Sequence, residues 1–358
     1  MEFLKNLIGF AALVLTISLS EVAPTVAEEW PNAENINRFA AEMSERHGFD
    51  HNELKALLAP LKPNSTILKI IAPPTDPETR SWLRYRARFL DTPRVENGVR
   101  FWNEHAATLA RAEENFGVPP EIVVAIIGVE TEYGRNKGNF SVLDALATIA
   151  FAYPPRGDFF RGELEQFLLL ARENRQAPEA IRGSYAGAIG IPQFMPGSQR
   201  RFAVDFDEDG RVDLMNSAKD AIGSVARFLK IHGWIKGQPI AEMIKEPPSQ
   251  PEKLLAAGIQ PSLDRNALKG IGLTESKIPE PGPVALIDLG SPDSATEYWW
   301  GHQNFYAITR YNRSSFYAMS VTQLAEEIKK RRADIRPMKV AKKKQAREGS
   351  RAKPHRAE

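Results

Sequence analysis

The sequence predicts a mainly α-helical (α+β) protein with a small β-element late in the chain. Apolar residues recur at intervals of three and four along most of the chain, as they do on the buried face of a helix. β-Branched and aromatic residues form strand-like runs only after about residue 283. The chain has 358 residues, of which 42% are hydrophobic, so it can bury a large core in about two domains.

The first 27 residues have the composition of a secretory signal peptide. Lys5 gives a short positive region, and residues 7–19 are apolar. Residues 25–27 have small side chains at the two positions that signal peptidase recognises. A membrane anchor is the alternative, but the apolar stretch is shorter than the roughly 20 residues that span a bilayer. We therefore expect an exported protein whose first 27 residues are cleaved.

The chain contains no cysteine. A disulfide framework, cysteine-based catalysis and thiolate metal sites are therefore excluded. A lipid anchor on a cysteine after the signal peptide is excluded for the same reason.

Apolar periodicity predicts the elements in chain order. The predicted helices cover residues 34–60, 99–116, 119–134, 141–152, 158–176, 220–232 and 321–332. A Pro-rich link at 72–77 and a Gly-rich stretch at 183–198 interrupt this pattern, and residues 239–283 are Pro-rich and loosely patterned. Residues 283–289 and 305–311 predict two strands.

The predicted helix that ends near Glu130 carries the most informative residue. Two prolines open this helix, Glu121 follows in its first turn, and Gly134 closes it. The helix is apolar on nearly every side, so we expect it to be buried. Desolvation and the negative end of the helix dipole would both favour the protonated form of Glu130. Such a carboxylic acid suits general acid catalysis on a glycosidic oxygen, although a buried Glu is also often an ion-paired structural residue.

The acidic segment 205–213 has the spacing of an EF-hand calcium loop. Acidic residues occupy loop positions one, three, five and nine, and glycine occupies position six. Position twelve holds an asparagine instead of the usual glutamate, so Asp213, Asn216 and Asp220 are alternatives for completing the site. We predict a structural Ca²⁺, with an acidic turn without metal as the alternative. The candidate ligands are Asp205, Asp207, Asp209, Arg211 through its carbonyl, and Asp220.

The Gly-rich stretch suits close approach of a saccharide. Its glycines leave backbone accessible, and Ser184 and Gln193 offer neutral hydrogen-bonding groups. A phosphate-binding loop is the rival, but neither of its glycine patterns is present. Aromatic residues in expected loops could stack on sugars, with core packing as the alternative for each of them: Trp82, Tyr85, Tyr153, Phe194, Trp299, Trp300, Tyr311 and Tyr317.

The last 30 residues, 329–358, are strongly basic. They contain 13 Lys or Arg and 3 Asp or Glu, whereas the whole chain has a net charge of +2. Large apolar residues are scarce, so we expect a disordered tail after the helix at 321–332. The tail would either contact an anionic wall or membrane surface or have no role. Nucleic acid is not expected as a partner of an exported protein.

Four sets of residues resemble the lytic murein transglycosylase B family. They are residues 118–135, 183–190 with 193–196, 220–226 with 232–234, and 308–312. The likeness covers about residues 33–328 in order. It implies a lysozyme-like fold with its core at about 100–235 and a catalytic region at 28–328. Family members anchored by lipid carry a cysteine that is absent here, so we expect a soluble protein. The signal peptide predicts the periplasm as its location, and we expect a monomer.

The resemblance implies cleavage of the β-1,4 bond between N-acetylmuramic acid and N-acetylglucosamine in peptidoglycan, without a catalytic cofactor. Glu130 matches the family's catalytic acid, which leaves 1,6-anhydromuramic acid ends because the muramic C6 hydroxyl attacks C1. Asp205, Asp207, Asp209 and Arg211 match its calcium loop. Phe228 stands where a groove tyrosine is expected. The residues that match its glycan groove are Ser184, Gln193, Phe194, Tyr311, Asn312, Tyr317, Tyr85 and Arg156.

Two alternatives compete with a transglycosylase. A hydrolytic muramidase on the same fold would need water and a second carboxylate, for which Asp158, Glu163 and Glu165 are the candidates. A non-catalytic peptidoglycan-binding protein would keep the groove, but such a protein has no use for a buried acid that costs stability.

Overall fold

The computed structural model describes residues 33–73, 80–270 and 282–351. The predicted signal peptide and residues 352–358 lie outside these ranges, as does most of the Pro-rich link. The described helices are α1 Ala33–His47, α2 His51–Leu58, α3 Ser65–Ile71, α4 Trp82–Ala87, α5 Thr92–Glu104, α6 Ala106–Phe116, α7 Pro120–Thr131, α8 Val142–Ala152, α9 Gly157–Glu173, α10 Pro196–Phe202, α11 Ala218–Ile231, α12 Pro251–Leu255, α13 Arg265–Gly270, α14 Gln303–Thr309 and α15 Ser315–Arg351. The strands are β1 Phe140–Ser141, β2 Arg182–Gly183, β3 Ala241–Met243, β4 Ala285–Ser291 and β5 Ser294–Gly301. Among the described residues no helix is long and apolar enough to cross a membrane.

Helix α7 lies at the centre of the larger hydrophobic core, as its all-round apolar sequence predicts. Its residues from Ile122 to Thr131 are all buried. Helices α5, α6, α11 and α15 pack around it. The two prolines stand at the N-cap and first position, where the missing N–H costs no helical hydrogen bond.

A second core lies between α8 and α9, and α1, α2 and α3 cover it. Val142, Leu146, Phe160 and Phe167 are among its fully buried side chains. The two-stranded sheet of β1 and β2 pairs Phe140 with Gly183, so it connects the start of α8 to the Gly-rich stretch. Tyr185 and Ile189 of the Gly-rich stretch pack in this second core, whereas Ile191 and Phe194 belong to the larger one.

The late β-element is a three-stranded antiparallel sheet in the order β3-β5-β4. Strand β4 confirms the strand predicted at 283–289. The strand predicted at 305–311 is wrong, because residues 303–309 form α14. Its aromatic and β-branched composition favours a strand, but Phe305, Ile308 and Thr309 are buried at helical spacing. Trp299 and Trp300 lie in β5 and not, as expected from the sequence, in a loop, so this strand was not predicted.

Three helix boundaries also differ from the prediction. Residues 34–60 form two helices separated at Gly48, which has a φ of 64°. The helix predicted at 99–116 is broken at His105 and begins earlier, at Thr92. Helix α15 continues to Arg351, although the sequence predicted a disordered tail after residue 332. Lys, Arg, Ala and Glu dominate residues 339–349, and these residues are good helix formers.

Candidate active site

Glu130 lies in the last turn of α7, and only 6% of its surface is exposed. Burial raises the pKa of its carboxyl group to about 8, from an ordinary value of 4.5. A hydrogen bond from Tyr317 acts in the opposite direction, because it stabilises the carboxylate. Glu130 is therefore largely protonated at neutral pH, as the sequence predicted.

Three tyrosines from distant parts of the chain converge on this carboxyl group. The Tyr317 hydroxyl, in the first turn of α15, donates to Glu130 Oε1 at 2.5 Å. The ring of Tyr311 stacks on that of Tyr317, with 6.4 Å between centroids and 13° between planes. Burial and the charge of Glu130 raise the pKa of both Tyr85 and Tyr311, so both phenols lie near it and stay neutral.

Among the described residues no second carboxylate contributes to the raised pKa of Glu130, which burial causes and the hydrogen bond from Tyr317 partly offsets. Glu163 accepts a hydrogen bond from the backbone of Gly197. Glu165 pairs with α1, and Asp158 is exposed at the start of α9. These three described carboxylates thus have other partners or face solvent, and none of them contributes to the raised pKa of Glu130.

The chain turns sharply after Glu130 in a strained conformation. Glu132, Tyr133 and Gly134 have φ values of 50°, 65° and 87°, a left-handed region that side chains disfavour. Arg94 holds this turn, because it donates to the Gly128 carbonyl at 2.6 Å and pairs with the Glu132 carboxylate at 3.0 Å. The Tyr133 hydroxyl donates to the Arg94 carbonyl at 2.9 Å.

Glycine is required where the Tyr133 ring packs against the end of α7. A Cβ on Gly128 would lie 2.5 Å from the Tyr133 hydroxyl, and one on Gly98 would lie 2.6 Å from it. The contacts of Arg94 and Tyr133 fix the end of α7 next to Glu130. Sequence reasoning missed this arrangement, because nothing in the spacing of Arg94 relates it to a turn 38 residues later.

The Gly-rich stretch forms a tight loop whose polar side chains shape its own backbone. Ser184 Oγ accepts from the Ala188 N–H at 3.0 Å. Gln193 has a φ of 52°, and its Nε2 donates to the carbonyls of Gly190 at 2.9 Å and Lys137 at 3.1 Å. Both residues, which the sequence predicts to bind glycan, are buried. Their main contribution to the site is therefore the loop conformation that they stabilise, and less the hydrogen-bonding groups of their side chains.

An aromatic cluster connects this loop to the tyrosines around Glu130. The Phe194 ring lies 5.7 Å from Tyr311 and 5.5 Å from Phe228. The Tyr311 hydroxyl donates to the Pro192 carbonyl at 2.5 Å. Phe228, where the family resemblance leads one to expect tyrosine, is buried and stacks on His232 at 4.0 Å.

The remaining predicted aromatic and polar residues are spread over the molecule. Arg156 lies just before α9 over the rings of Phe159 and Phe160, and burial lowers the pKa of its guanidinium. Asn312 is half-buried in the turn between α14 and α15. Trp82 and Trp300 are core residues, so for them the packing alternative applies.

Three acidic side chains of the predicted calcium loop meet in space. Carboxylate oxygens of Asp205, Asp207 and Asp209 lie within 4.8 Å of one another. The Asp205 carboxylate accepts the N–H groups of Glu208, Asp209 and Gly210 at 2.7–3.2 Å, which curls the loop around it. Asp207 Oδ1 is buried and has no hydrogen-bond partner among the described residues. This donor set and the unpaired buried oxygen fit a hard cation such as Ca²⁺.

Asp220, a candidate for closing the metal site, lies outside this group of three. Its two oxygens accept the N–H groups of Phe206 and Asp213, each at 2.8 Å. The carboxylate therefore ties both ends of the loop to the start of α11. Arg211 has an exposed side chain, and its guanidinium pairs with Asp213 at 3.0 Å.

A single buried acid beside neutral tyrosines, on a lysozyme-like helical fold, defines an enzyme that cleaves glycosidic bonds. The family described as Transglycosylase SLT domain matches residues 31–326. The membrane-bound lytic murein transglycosylase B of Escherichia coli K12 is 41% identical over 313 residues, which are 84% of this chain and 84% of that protein. The chain belongs to this lytic transglycosylase family, and the predicted family, fold class and lytic activity are confirmed.

Solved structures agree with this assignment. The soluble lytic transglycosylase SltB1 from Pseudomonas aeruginosa is 44% identical, with a TM-score of 0.76 over 84% of this chain and 99% of that one. The Escherichia coli lytic transglycosylase Slt35 in complex with calcium is 39% identical, with a TM-score of 0.73 over 87% of this chain and 100% of that one.

Proposed function

We propose that Glu130 is the single acid and base with which this lytic transglycosylase cleaves the β-1,4 bond between N-acetylmuramic acid and N-acetylglucosamine. The observation that carries the proposal is a fully buried carboxyl group with a pKa of about 8. Such a group holds its proton at neutral pH and can donate it to the glycosidic oxygen.

The first half of the reaction breaks the bond between C1 of the muramic residue and the bridging oxygen. The Glu130 proton moves to that oxygen, and N-acetylglucosamine leaves with it as an alcohol. The carboxylate that results keeps the hydrogen bond from Tyr317, which stabilises its charge.

The second half closes a ring within the muramic residue. Its C6 hydroxyl attacks C1 and gives its proton to the Glu130 carboxylate, so the acid is regenerated and no water is consumed. Because the nucleophile belongs to the substrate, the absence of a second carboxylate near Glu130 among the described residues is consistent with this route.

The glycan strand would lie along the loop of the Gly-rich stretch and the aromatic cluster. Tyr85 and Tyr311 are partly exposed rings near Glu130, and the buried Phe194 packs against Tyr311. The other predicted groove residues are Ser184, Gln193, Asn312, Tyr317 and Arg156. Aromatic faces bordered by polar groups suit the alternating apolar faces and hydroxyls of a saccharide.

Ca²⁺ would have a structural role in the acidic loop. Asp205, Asp207 and Asp209 would hold the ion through carboxylate oxygens, and Arg211 would offer its backbone carbonyl. The ion would neutralise three converging carboxylates and stiffen the link to α11. The calcium complex of Slt35 supports this proposal by similarity.

Three further predictions stay proposals. Export to the periplasm with cleavage after residue 27 is one of them, and an intact N-terminus on the protein recovered from the envelope would contradict the cleavage. Contact of the basic tail with an anionic surface would be contradicted by a truncation after residue 328 that binds sacculi as the full chain does. A monomeric state would be contradicted by a dimer mass in light scattering.

The test of the catalytic proposal is a zymogram with two matched variants of helix α7. Glu130→Gln is expected to abolish lysis of peptidoglycan, because the amide cannot donate a proton of suitable acidity. Glu121→Gln, at the other end of the helix, removes only a surface pair with Lys329 and should keep full activity. Unchanged lysis by Glu130→Gln would exclude Glu130 as the acid.

A further inference from the structure

Two charged side chains hold the backbone of Gly197 at the start of α10. The Gly197 N–H donates to Glu163 Oε2 at 2.8 Å, and the Gly197 carbonyl accepts from Arg201 Nε at 3.0 Å. Glu163 lies on α9, which packs against α10, and it is 8% exposed. Burial of a carboxylate is unfavourable unless hydrogen bonds compensate for the lost hydration, so the buried position of Glu163 depends on this contact.

The contact leaves little room for a side chain at residue 197, so the Glu163 carboxylate would have to shift by a few tenths of an ångström. A Cβ there would lie 3.0 and 3.2 Å from the two carboxylate oxygens of Glu163 and 3.4 Å from Gln166 Cγ. The backbone of Gly197 is helical, and its φ is not in the left-handed region, so its conformation accepts alanine. The Glu163 carboxylate is therefore the main obstacle to a Cβ at this position.

Gly197 ends the segment 189–197, which carries Phe194. Near its start, the Ile191 N–H donates to the Leu214 carbonyl at 2.8 Å. Ile189 and Phe194 exchange backbone hydrogen bonds at 2.8 and 3.2 Å across the turn between them. Because the segment is short and its start is fixed, we expect a displacement of Gly197 to shift Phe194, three residues earlier.

We propose that Glu163 is a positioning residue for glycan binding, acting through Gly197 to hold the Phe194 ring in the aromatic cluster. Glu163 does not touch the reacting atoms. The inference rests on the proposed glycan groove, and it gives this carboxylate a different role from the second acid of a muramidase.

The test measures binding of the full chain to purified sacculi, with Glu130→Gln in every protein so that the sacculi stay intact. Glu163→Ala removes the acceptor, and Gly197→Ala displaces it. Each is expected to weaken binding about five- to tenfold, the size of effect expected when one aromatic ring of the cluster is misplaced. In the double variant with Glu163→Ala and Gly197→Ala, the Cβ at residue 197 no longer meets a carboxylate. Binding should therefore be no weaker than with Glu163→Ala alone.

Two further variants separate positioning from general destabilisation. Glu163→Gln keeps an oxygen that can accept the Gly197 N–H, so it should restore most of the binding. Glu165→Gln, two residues along α9, loses its pairs with Arg46 and His47 and should lower the melting temperature without weakening binding.

Kinetics of the otherwise wild-type enzyme complete the test. Glu163→Ala should raise KM for sacculi and leave kcat within about twofold, because an interaction made equally in ground and transition states affects only KM. Unchanged binding in both single variants, or additive losses in the double variant, would overturn the inference. Failure of the proposed function shows separately, as degradation of sacculi by Glu130→Gln alone.

Discussion

Replacing Glu130 with glutamine should stabilise the protein above pH 5 while it abolishes activity. The cause is the cost of burying an ionisable group. In the folded protein burial holds the pKa of Glu130 at about 8, whereas in the unfolded chain it returns to about 4.5. At about 1.4 kcal/mol per pKa unit, this difference amounts to about 5 kcal/mol.

The sign and the pH window follow from the two pKa values. Below pH 4.5 Glu130 is protonated in both states, and its ionisation costs the folded state nothing. As the pH rises from about 4.5 to about 8, only the unfolded state loses its proton, so wild-type stability falls. At pH 7 the loss is about 3 kcal/mol, and above pH 8 it levels off.

Urea unfolding of the wild type and Glu130→Gln at pH 4.5, 7 and 8.5 measures this loss. Glutamine cannot ionise, and its amide oxygen can still accept from Tyr317. The other titrating groups are shared, so they cancel in the difference between the two free energies of unfolding. That difference should grow in favour of the variant by several kcal/mol across the range. A difference that stays constant with pH would refute the raised pKa of Glu130.

Three other predictions concern residues around the site. Tyr317→Phe removes a hydrogen bond to the Glu130 carboxylate, which is typically worth about 1.5–3 kcal/mol. The pKa of Glu130 should therefore rise, and the alkaline limb of the kcat/KM profile should move up by about 1–2 pH units. A limb that stays in place or moves to lower pH would contradict this. Calcium should raise the melting temperature of the wild type but not of Asp209→Ala, and an equal shift in both would argue against the site. Gly128→Ala places a Cβ 2.5 Å from the Tyr133 hydroxyl and should cost about 1–3 kcal/mol in urea unfolding, so wild-type stability would disprove the tight packing.

The sequence predicted those elements whose local signals agree with their tertiary surroundings. Helix α7 has a proline start, an apolar interior and a glycine after its end, and its burial follows from composition alone. Helix α14 shows the opposite case, because its strand-like composition competes with burial at helical spacing. Helices α5 and α6 divide at His105 without proline or glycine, so no local signal marks the break.

Part of the site was predictable from local physics. The raised pKa of Glu130 follows from an acid that ends an apolar helix. The convergence of Tyr85, Tyr311 and Tyr317 on that acid cannot be derived in this way, because their separations in sequence give no sign that they meet in space. Only the family resemblance indicated these residues. The contacts of Arg94 with the strained turn after Glu130 became visible only in three dimensions.

Cleavage by one buried acid without water fixes the mass of the products. Mass spectrometry should therefore compare the soluble products that the mature protein and its Glu130→Gln variant release from purified sacculi. We expect anhydro-muropeptides, one water lighter than hydrolytic products, from the wild type and none from the variant. Reducing-end products from the wild type, or anhydro products from the variant, would refute cleavage by Glu130 as the single acid.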